Sequence, residues 1–311
     1  MAEPRLVNAA AIAGARRLGA TTRLAAIFGD PVSHSLSPVM HNAAYAALGV
    51  DRAYVAFHVR PPDLAAAVRA IPALGIVGAN ITVPHKERAA RMVARLSAEA
   101  RMLGAINCVV NRTLELVGDN TDARGLERDL RSLELALDDR IVIVIGAGGA
   151  AGSAIVAALR LGARRIVIAN RTPARAQSLR RRLRARLTTD LERVPIDVRG
   201  LDALTDIEVM SRAALVMNAT PMGLVSPGFA RMNAKATPRN CFFYDLVYAA
   251  NPTAFINAAI GAGRPCADGA GMLVNQGELA FELFNGVAAP AGVMHRTIWE
   301  KLARRPGDLH A

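Results

Sequence analysis

Lysine is almost missing from this 311-residue chain: of 38 basic side chains only Lys86, Lys235 and Lys301 are lysines, and arginine supplies the rest. Guanidinium stays protonated at any workable pH, whereas a lysine amine can lose and regain a proton. Aromatic residues are also few, at 4%, and none interleaves with the densest basic run, "RRRLRARL" at 180–187. Leucines 179, 183 and 187 recur every four residues there. This predicts a solvated amphipathic helix rather than a base-stacking surface, and the net charge of +12 is not taken as a sign of nucleic-acid binding. Cys108, Cys241 and Cys266 are odd in number, far apart and without a CxxC pair, which excludes a disulfide framework and a cysteine zinc site. No stretch approaches the roughly 18 unbroken apolar residues of a membrane span. A content of 52% hydrophobic residues is ample for a core, so a soluble, globular, cytoplasmic protein is expected. The stretch "NAAAIAGARRLGATTR" at 8–23 is arginine-containing and acid-poor like a transit peptide, but it lacks an apolar secretory core, and no cleaved segment is expected.

What is present is an alternation of strand-like and helix-like runs, the pattern of an α/β protein with parallel sheets. "LAAIF" (24–28) is followed by a helix across "SPVMHNAAYAAL", the alternating "AYVAFHV" (53–59), a helix after Pro61-Pro62 and a strand in "IVGANIT". A boundary falls near 138, where "IVIVIGAGGAAGSAIVAALRLGA" opens a second unit as strand, glycine turn and helix. Further strands are expected at "RRIVIAN", "ALVMNAT" and "CFFYDLV", and helices at 253–262, 271–285 and 295–303. The last helices are expected to return to the first domain.

The glycine turn reads Gly146-Ala147-Gly148-Gly149-Ala150, with Ala151 completing G-x-G-x-x-A. Glycines permit the tight turn and a close backbone approach, and the helix N-terminus presents free N–H groups to a pyrophosphate. A carboxylate at the end of the second strand would select NAD. At that point, 24 residues after Gly146, the chain has Asn170, Arg171, Thr172 and Arg175. No acid is there to repel a 2′-phosphate and two guanidiniums can pair with one, so NADP is the inferred cofactor.

In the first half, "SHSLSP" (33–38) places Ser35 and Ser37 where Pro38 can begin a helix, an arrangement suited to a carboxylate or to simple capping. His34 and His41 lack supporting ligands, so no metal is expected, and turn and helix-surface roles are assigned to them. Asn80, Thr82 and Lys86 lie between a strand end and the next helix, a common ligand position in α/β proteins. Asp122, in "GDNTD", either caps its helix or sits against Lys86.

With these residues in hand, the chain resembles the shikimate dehydrogenase family. The likeness runs in order through "GDPVSHSLSPVMHN", "GANITVPHKE", "GAINCVV", "GDNTD", "GAGGA", "NRTPAR", "NATPMG", "YDLVY" and "DGAGMLVNQGELAF", covering roughly residues 24–285. It implies an N-terminal α/β substrate domain of residues 1–125 and 251–311 and a Rossmann-type, doubly wound NADP-binding domain of residues 126–250. It implies further that Ser35 and Ser37 hold a substrate carboxylate. Asn80, Thr82, Asn107, Asp122, Tyr248 and Gln276 would position ring hydroxyls, with Lys86 and Asp122 the catalytic pair. Leu246, Gly269 and Met272 join the cofactor set. The implied reaction is NADP-dependent, reversible reduction of 3-dehydroshikimate to shikimate in aromatic amino-acid biosynthesis. A quinate/shikimate dehydrogenase is the nearest alternative, and a non-catalytic basic nucleotide- or nucleic-acid-binding protein on the same scaffold is the alternative of another class. Neither a membrane nor a nucleic acid is an expected partner, and a homodimer is an admissible assembly. The family usually has Gly after "NTD"; here Ala123 would be strained if that position required a positive φ.

Overall fold

The computed structural model describes residues 18–113, 115–135, 137, 141–187, 193–222 and 229–303. The first half runs β1 (Arg23–Gly29), α1 (Ser37–Ala47), β2 (Arg52–His58), α2 (Leu64–Ala73), β3 (Gly78–Ile81), α3 (Lys86–Ala89), β4 (Arg95–Leu96), α4 (Ala98–Leu103), β5 (Cys108–Arg112), β6 (Glu115–Asp119) and α5 (Asp122–Ser132). Its strands form one sheet in the order β2-β1-β3-β5-β6-β4. Alternate residues of β1 enter opposite cores: Ala25 and Ile27 meet α1, while Ala26 and Phe28 meet the side lined by Leu64, Val68 and Ile71.

This sheet departs from the parallel arrangement expected. β1 pairs in parallel with β2 and β3, but β3–β5 and β5–β6 are antiparallel. For β5–β6 the cause is the short connection after Arg112, which pairs with Glu115. Two residues close a hairpin, whereas a parallel return needs a crossover of a dozen or more.

The second half runs β7 (Ile141–Ile145), α6 (Gly149–Arg160), β8 (Arg165–Ala169), α7 (Pro173–Arg184), β9 (Ile196–Arg199), α8 (Ile207–Met210), β10 (Ala213–Asn218), β11 (Phe242–Asp245), α9 (Ala254–Gly261) and β12 (Cys266–Asp268). All its strand pairs are parallel, in the order β12-β11-β10-β7-β8-β9. β7 is buried on both faces, Val142 and Val144 on one and Ile141, Ile143 and Ile145 on the other, which is why it reads as an unbroken apolar run. The order reverses between β7 and β10, the switch point where doubly wound sheets take their ligands. The leucines behave as their spacing predicts: Leu179 and Leu183 of α7, and Leu187 just beyond its end, are buried.

The chain then returns through α10 (Ala270–Asn285) and α11 (Val293–Lys301) to the first core, where Phe281, Phe284, Met294 and Ile298 pack with Met40 and Tyr45. The boundary expected at residue 250 falls inside the second unit, because β12 hydrogen-bonds to β11 and α9 packs beneath both. The crossover from one unit to the other comes instead just before α10.

Candidate active site

The two sheets point strand ends at a shared cleft with an empty volume of about 870 Å³, open mouth included. All nine residues expected to touch substrate line it: Ser35, Ser37, Asn80, Thr82, Lys86, Asn107, Asp122, Tyr248 and Gln276. From the second unit's side come Ala150, Leu246 and Gly269, and Met272 enters from α10.

Lys86 opens α3, and Asp122 opens α5. The lysine Nζ donates to Asp122 Oδ2 at 2.6 Å, with side chains 19% and 7% exposed, so the pair is shielded yet reachable from the cleft. The two roles left open for Asp122 are thereby decided. Its own N–H donates to Asn120 Oδ1 at 3.0 Å, Thr121 precedes the helix without a side-chain cap, and the carboxylate faces Lys86. Its second oxygen accepts from Asn107 Nδ2 at 2.7 Å. The Asn107 amide is itself fixed, donating to Thr121 Oγ1 at 2.9 Å and accepting from the Thr121 N–H at 2.8 Å. A carboxylate held by two donors has one orientation, and the lysine follows it.

Around this pair the polar groups interlock. Asn80 Nδ2 donates to the Asn107 carbonyl at 3.0 Å, and Asn80 Oδ1 accepts from the Tyr54 hydroxyl at 2.7 Å. The Thr82 N–H donates to the Phe28 carbonyl at 2.9 Å, fixing the loop after β3 to β1. Ser35 Oγ accepts from the Ser37 N–H at 3.3 Å, keeping both serines at the start of α1. Gln276 Nε2 donates to its own helix at Leu273 at 2.8 Å. Gly125 of α5 packs so closely on α10 that a Cβ there would lie 2.6 Å from the Gln276 nitrogen, so glycine sets the distance between the helices carrying Asp122 and Gln276. Tyr248 is largely buried, which pushes its phenol up from its ordinary value.

The glycine turn lies between β7 and α6. Gly146 has φ of +115°, and a Cβ would come within 3.0 Å of Thr220 and 3.1 Å of the Ala219 carbonyl oxygen. Gly148, immediately before α6, faces open space, so the helix N-terminus is accessible to a phosphate. Ala147 packs on the core beside it. A Cβ at Gly149 would be 3.9 Å from Lys86 Cδ, so the nucleotide turn and the lysine meet across the cleft. Asn170, Arg171, Thr172 and Arg175 are not cleft-lining. They follow β8, whose Ala169 carbonyl accepts from the Gly146 N–H at 2.9 Å, and Arg171, Thr172 and Arg175 are exposed. Asn170 Nδ2 donates to the Thr172 carbonyl at 2.8 Å, shaping the turn. An open helix N-terminus beside two exposed guanidiniums and no carboxylate fits the phosphates of NADP.

Several site-building residues carry no plain sequence signal. Asp245 Oδ1 accepts from the Val247 N–H at 3.0 Å and from Asn218 Nδ2 at 2.9 Å, and Oδ2 accepts from the Thr253 hydroxyl at 2.6 Å. It thus shapes the stretch bearing Leu246 and Tyr248. Burial pushes its carboxyl up to about 6, against the opposing pull of those donors. Arg182 of α7 pairs with Glu87 of α3 at 3.2 Å, joining the two units one residue from Lys86. The surface role given to His41 is wrong. It sits on the buried face of α1 with Met40, Ala44 and Tyr45 and is fully enclosed. His34 does occupy an exposed turn. Ala123 lies within α5 in ordinary helical backbone, so the strain considered for it does not arise. Among the described residues no cluster of three or more His, Cys, Asp or Glu forms a metal site, and no helix is long and apolar enough to cross a membrane.

Comparison with known proteins agrees with this geometry. The chain matches the family model of the shikimate dehydrogenase substrate binding domain over residues 27–109, of shikimate / quinate 5-dehydrogenase over 129–215, and of the shikimate 5'-dehydrogenase C-terminal domain over 269–298. A shikimate dehydrogenase (NADP(+)) of Citrifermentans bemidjiense is 42% identical over 289 residues, covering 92% of this chain and 98% of that protein. The crystal structure of a shikimate dehydrogenase in complex with NADP+ superposes with a TM-score of 0.80 at 30% identity, covering 92% of this chain and 98% of the other. A Thermus thermophilus shikimate 5-dehydrogenase in complex with NADP(H) and shikimate gives a TM-score of 0.77 at 30% identity, covering 90% and 99%. A lysine–aspartate pair between a polar ring of side chains and a glycine turn, together with whole-length likeness of this degree, makes the chain a member of the shikimate dehydrogenase family.

Proposed function

We propose that this cleft catalyses the NADP-dependent, reversible reduction of 3-dehydroshikimate to shikimate, the reaction of its family in aromatic amino-acid biosynthesis. The observation that carries the reading is the Lys86–Asp122 pair, 2.6 Å apart and turned into a cleft bordered by both units. Ser35 and Ser37 hold the substrate carboxylate at the start of α1. Asn80, Thr82, Asn107, Tyr248 and Gln276 accept or donate to the ring oxygens. NADPH, when bound along residues 146–150 with Asn170, Arg171, Thr172 and Arg175 near its phosphate, supplies the hydride. Negative charge then grows on the former carbonyl oxygen, and Lys86 Nζ delivers the proton that neutralises it; a positioned acid of this kind is typically worth about 10² to 10⁴ in rate. Asp122 keeps the ammonium oriented and returns it to the same place after each turnover. In the oxidative direction the neutral amine of Lys86 takes the proton back.

The substrate-binding unit comprises the elements before α5 together with α10 and α11, and the NADP-binding unit the elements from β7 to β12. A cytoplasmic enzyme acting on a small molecule, with neither a membrane nor a nucleic acid as partner, belongs to the same reading, and its arginine-rich helix α7 carries no aromatic residue to stack on a base. The test is direct. Purified protein is mixed with shikimate or quinate, each with NADP or NAD, and reduced cofactor is followed by absorbance. Shikimate with NADP is expected to turn over fastest; faster turnover of quinate would move the assignment to the quinate branch, and no turnover with any pair would refute it.

A further inference from the structure

The "HN" at the end of "SPVMHN" takes no part in the reaction just described, yet both residues are engaged in holding one side chain. Tyr54 lies on β2, the edge strand of the first sheet, and is almost wholly buried. Asn42 grips its backbone from both sides, donating from Nδ2 to the Tyr54 carbonyl at 2.8 Å and accepting the Tyr54 N–H at 2.8 Å. His41 stacks on its ring with centroids 4.2 Å apart and planes 11° from parallel. Neither ring nitrogen of His41 has a hydrogen-bond partner, so this histidine serves as a flat wall and not as a polar group. Phe281 and Phe284 back the imidazole at 6.0 and 6.3 Å.

The phenol so fixed ends at the substrate side of the cleft. It donates to Asn80 Oδ1 at 2.7 Å. An asparagine amide has two donors and one acceptor oxygen. With Oδ1 turned to Tyr54 and one Nδ2 hydrogen given to the Asn107 carbonyl, the donor Asn80 has left is its second Nδ2 hydrogen, while Oδ1 keeps only a second lone pair beside the phenol. We propose that Tyr54, locked by His41 and Asn42, is a positioning residue that fixes the orientation of the Asn80 amide, holding its oxygen toward the phenol and leaving its nitrogen to meet substrate. A substrate oxygen that meets this nitrogen acts as an acceptor, as a ring hydroxyl oxygen can. This rests on the assignment of the cleft to shikimate.

The test uses the full-length enzyme and steady-state kinetics with shikimate and NADP+ varied separately. Tyr54→Phe frees the Asn80 amide while keeping the ring against His41. The KM for shikimate is expected to rise about 5- to 30-fold, the loss of one well-placed hydrogen bond, with kcat within about 3-fold and the KM for NADP+ within about 2-fold. Asn80→Ala is expected to raise the same KM, and Tyr54→Phe added to Asn80→Ala should change it no further, because Tyr54 acts through Asn80. An unchanged shikimate KM in Tyr54→Phe, or full additivity in the double variant, overturns the proposal. If Asn80→Ala also leaves that KM unchanged, the cleft assignment itself has failed. Should Tyr54→Phe not fold, Asn80→Asp decides: it keeps an acceptor for the phenol but removes the N–H, and near-normal KM for shikimate in that variant overturns the proposal equally.

Discussion

The two sides of the cleft are built in different ways. On the substrate side the functional groups are buried side chains tied to one another: Asn80 to Tyr54 and Asn107, Asn107 to Thr121 and Asp122, Asp122 to Lys86. On the cofactor side the glycine turn offers backbone N–H groups, and Arg171, Thr172 and Arg175 stand exposed beyond it. A network in which each polar group fixes the next is preorganised, so deleting one member strands its neighbours. Exposed arginines pair with a ligand only on its arrival, and each can be lost without disturbing the others. Substitutions on the substrate side should therefore be large and coupled, and those on the cofactor side smaller and separable.

The largest effect is expected at Lys86. Lys86→Ala should lower kcat by about 10² to 10⁴, and Lys86→Arg should fail nearly as badly, because charge without a labile proton does not replace the acid. Near-normal kcat for the arginine variant would remove the proton-transfer role. Next, Arg171→Ala should raise the KM for NADPH by about 10- to 100-fold, the range for a charge-assisted contact, while hardly altering the KM for NADH. Equal changes for both cofactors would show that Arg171 does not meet the 2′-phosphate. Smaller again is Arg182→Ala, which removes the ion pair to Glu87 across the cleft. Both side chains are substantially exposed, so a change of no more than about 3-fold in kcat/KM, vanishing at high salt, is expected from rate measurements at two ionic strengths.

The smallest effect concerns stability and comes from Asp245. Its carboxyl titrates at about 6 in the fold against an ordinary 3.8, so the folded protein holds a proton there that the unfolded chain releases, and this contribution is lost as pH rises from about 4 to about 6. His41 works in the opposite sense. Burial lowers it from 6.5 to about 3, so its contribution is lost as pH falls through that range. Melting temperature measured from pH 4 to 7 should thus separate the two only by difference: wild type minus Asp245→Asn should decline with pH, and a flat difference would show that Asp245 is ionised throughout.

Ser35, Ser37, Asn80, Thr82, Lys86, Asp122 and the glycine turn were legible in the sequence because they sit at strand ends and helix starts, whereas Asn107, Tyr248 and Gln276 were implied only by the family likeness. Lys86 stood out by the scarcity of its own kind. What stayed hidden depended on partners distant in the chain. The β5–β6 hairpin turns through Thr113 at φ of 48°, where a Gly or Asn would normally signal the reversal. β12 is three residues long, too short to show a period, and only its pairing with β11 assigns it to the second sheet. His41 has no Cys, Asp or Glu cluster near it in the sequence, which is why a helix-surface role is expected for it. It is four residues from Ser37 and three from Ala44, on the buried face of α1, and Tyr54 covers it from a strand whose position the sequence does not disclose. The Lys86–Asp122 contact spans 36 residues and depended on the fold in the same way.

The return of α10 and α11 to the first core has a consequence for the order in which a newly made chain matures. The first sheet and α1 are synthesised early, but the apolar surface they present to Phe281, Phe284, Met294 and Ile298 stays uncovered until α10 and α11 have left the ribosome. The second unit, contiguous from β7 to β12, can close its sheet before that moment. The nucleotide-binding half is thus expected to mature first, and the half made first to mature last. A nascent chain stopped before α10 should gain nucleotide affinity with no substrate affinity.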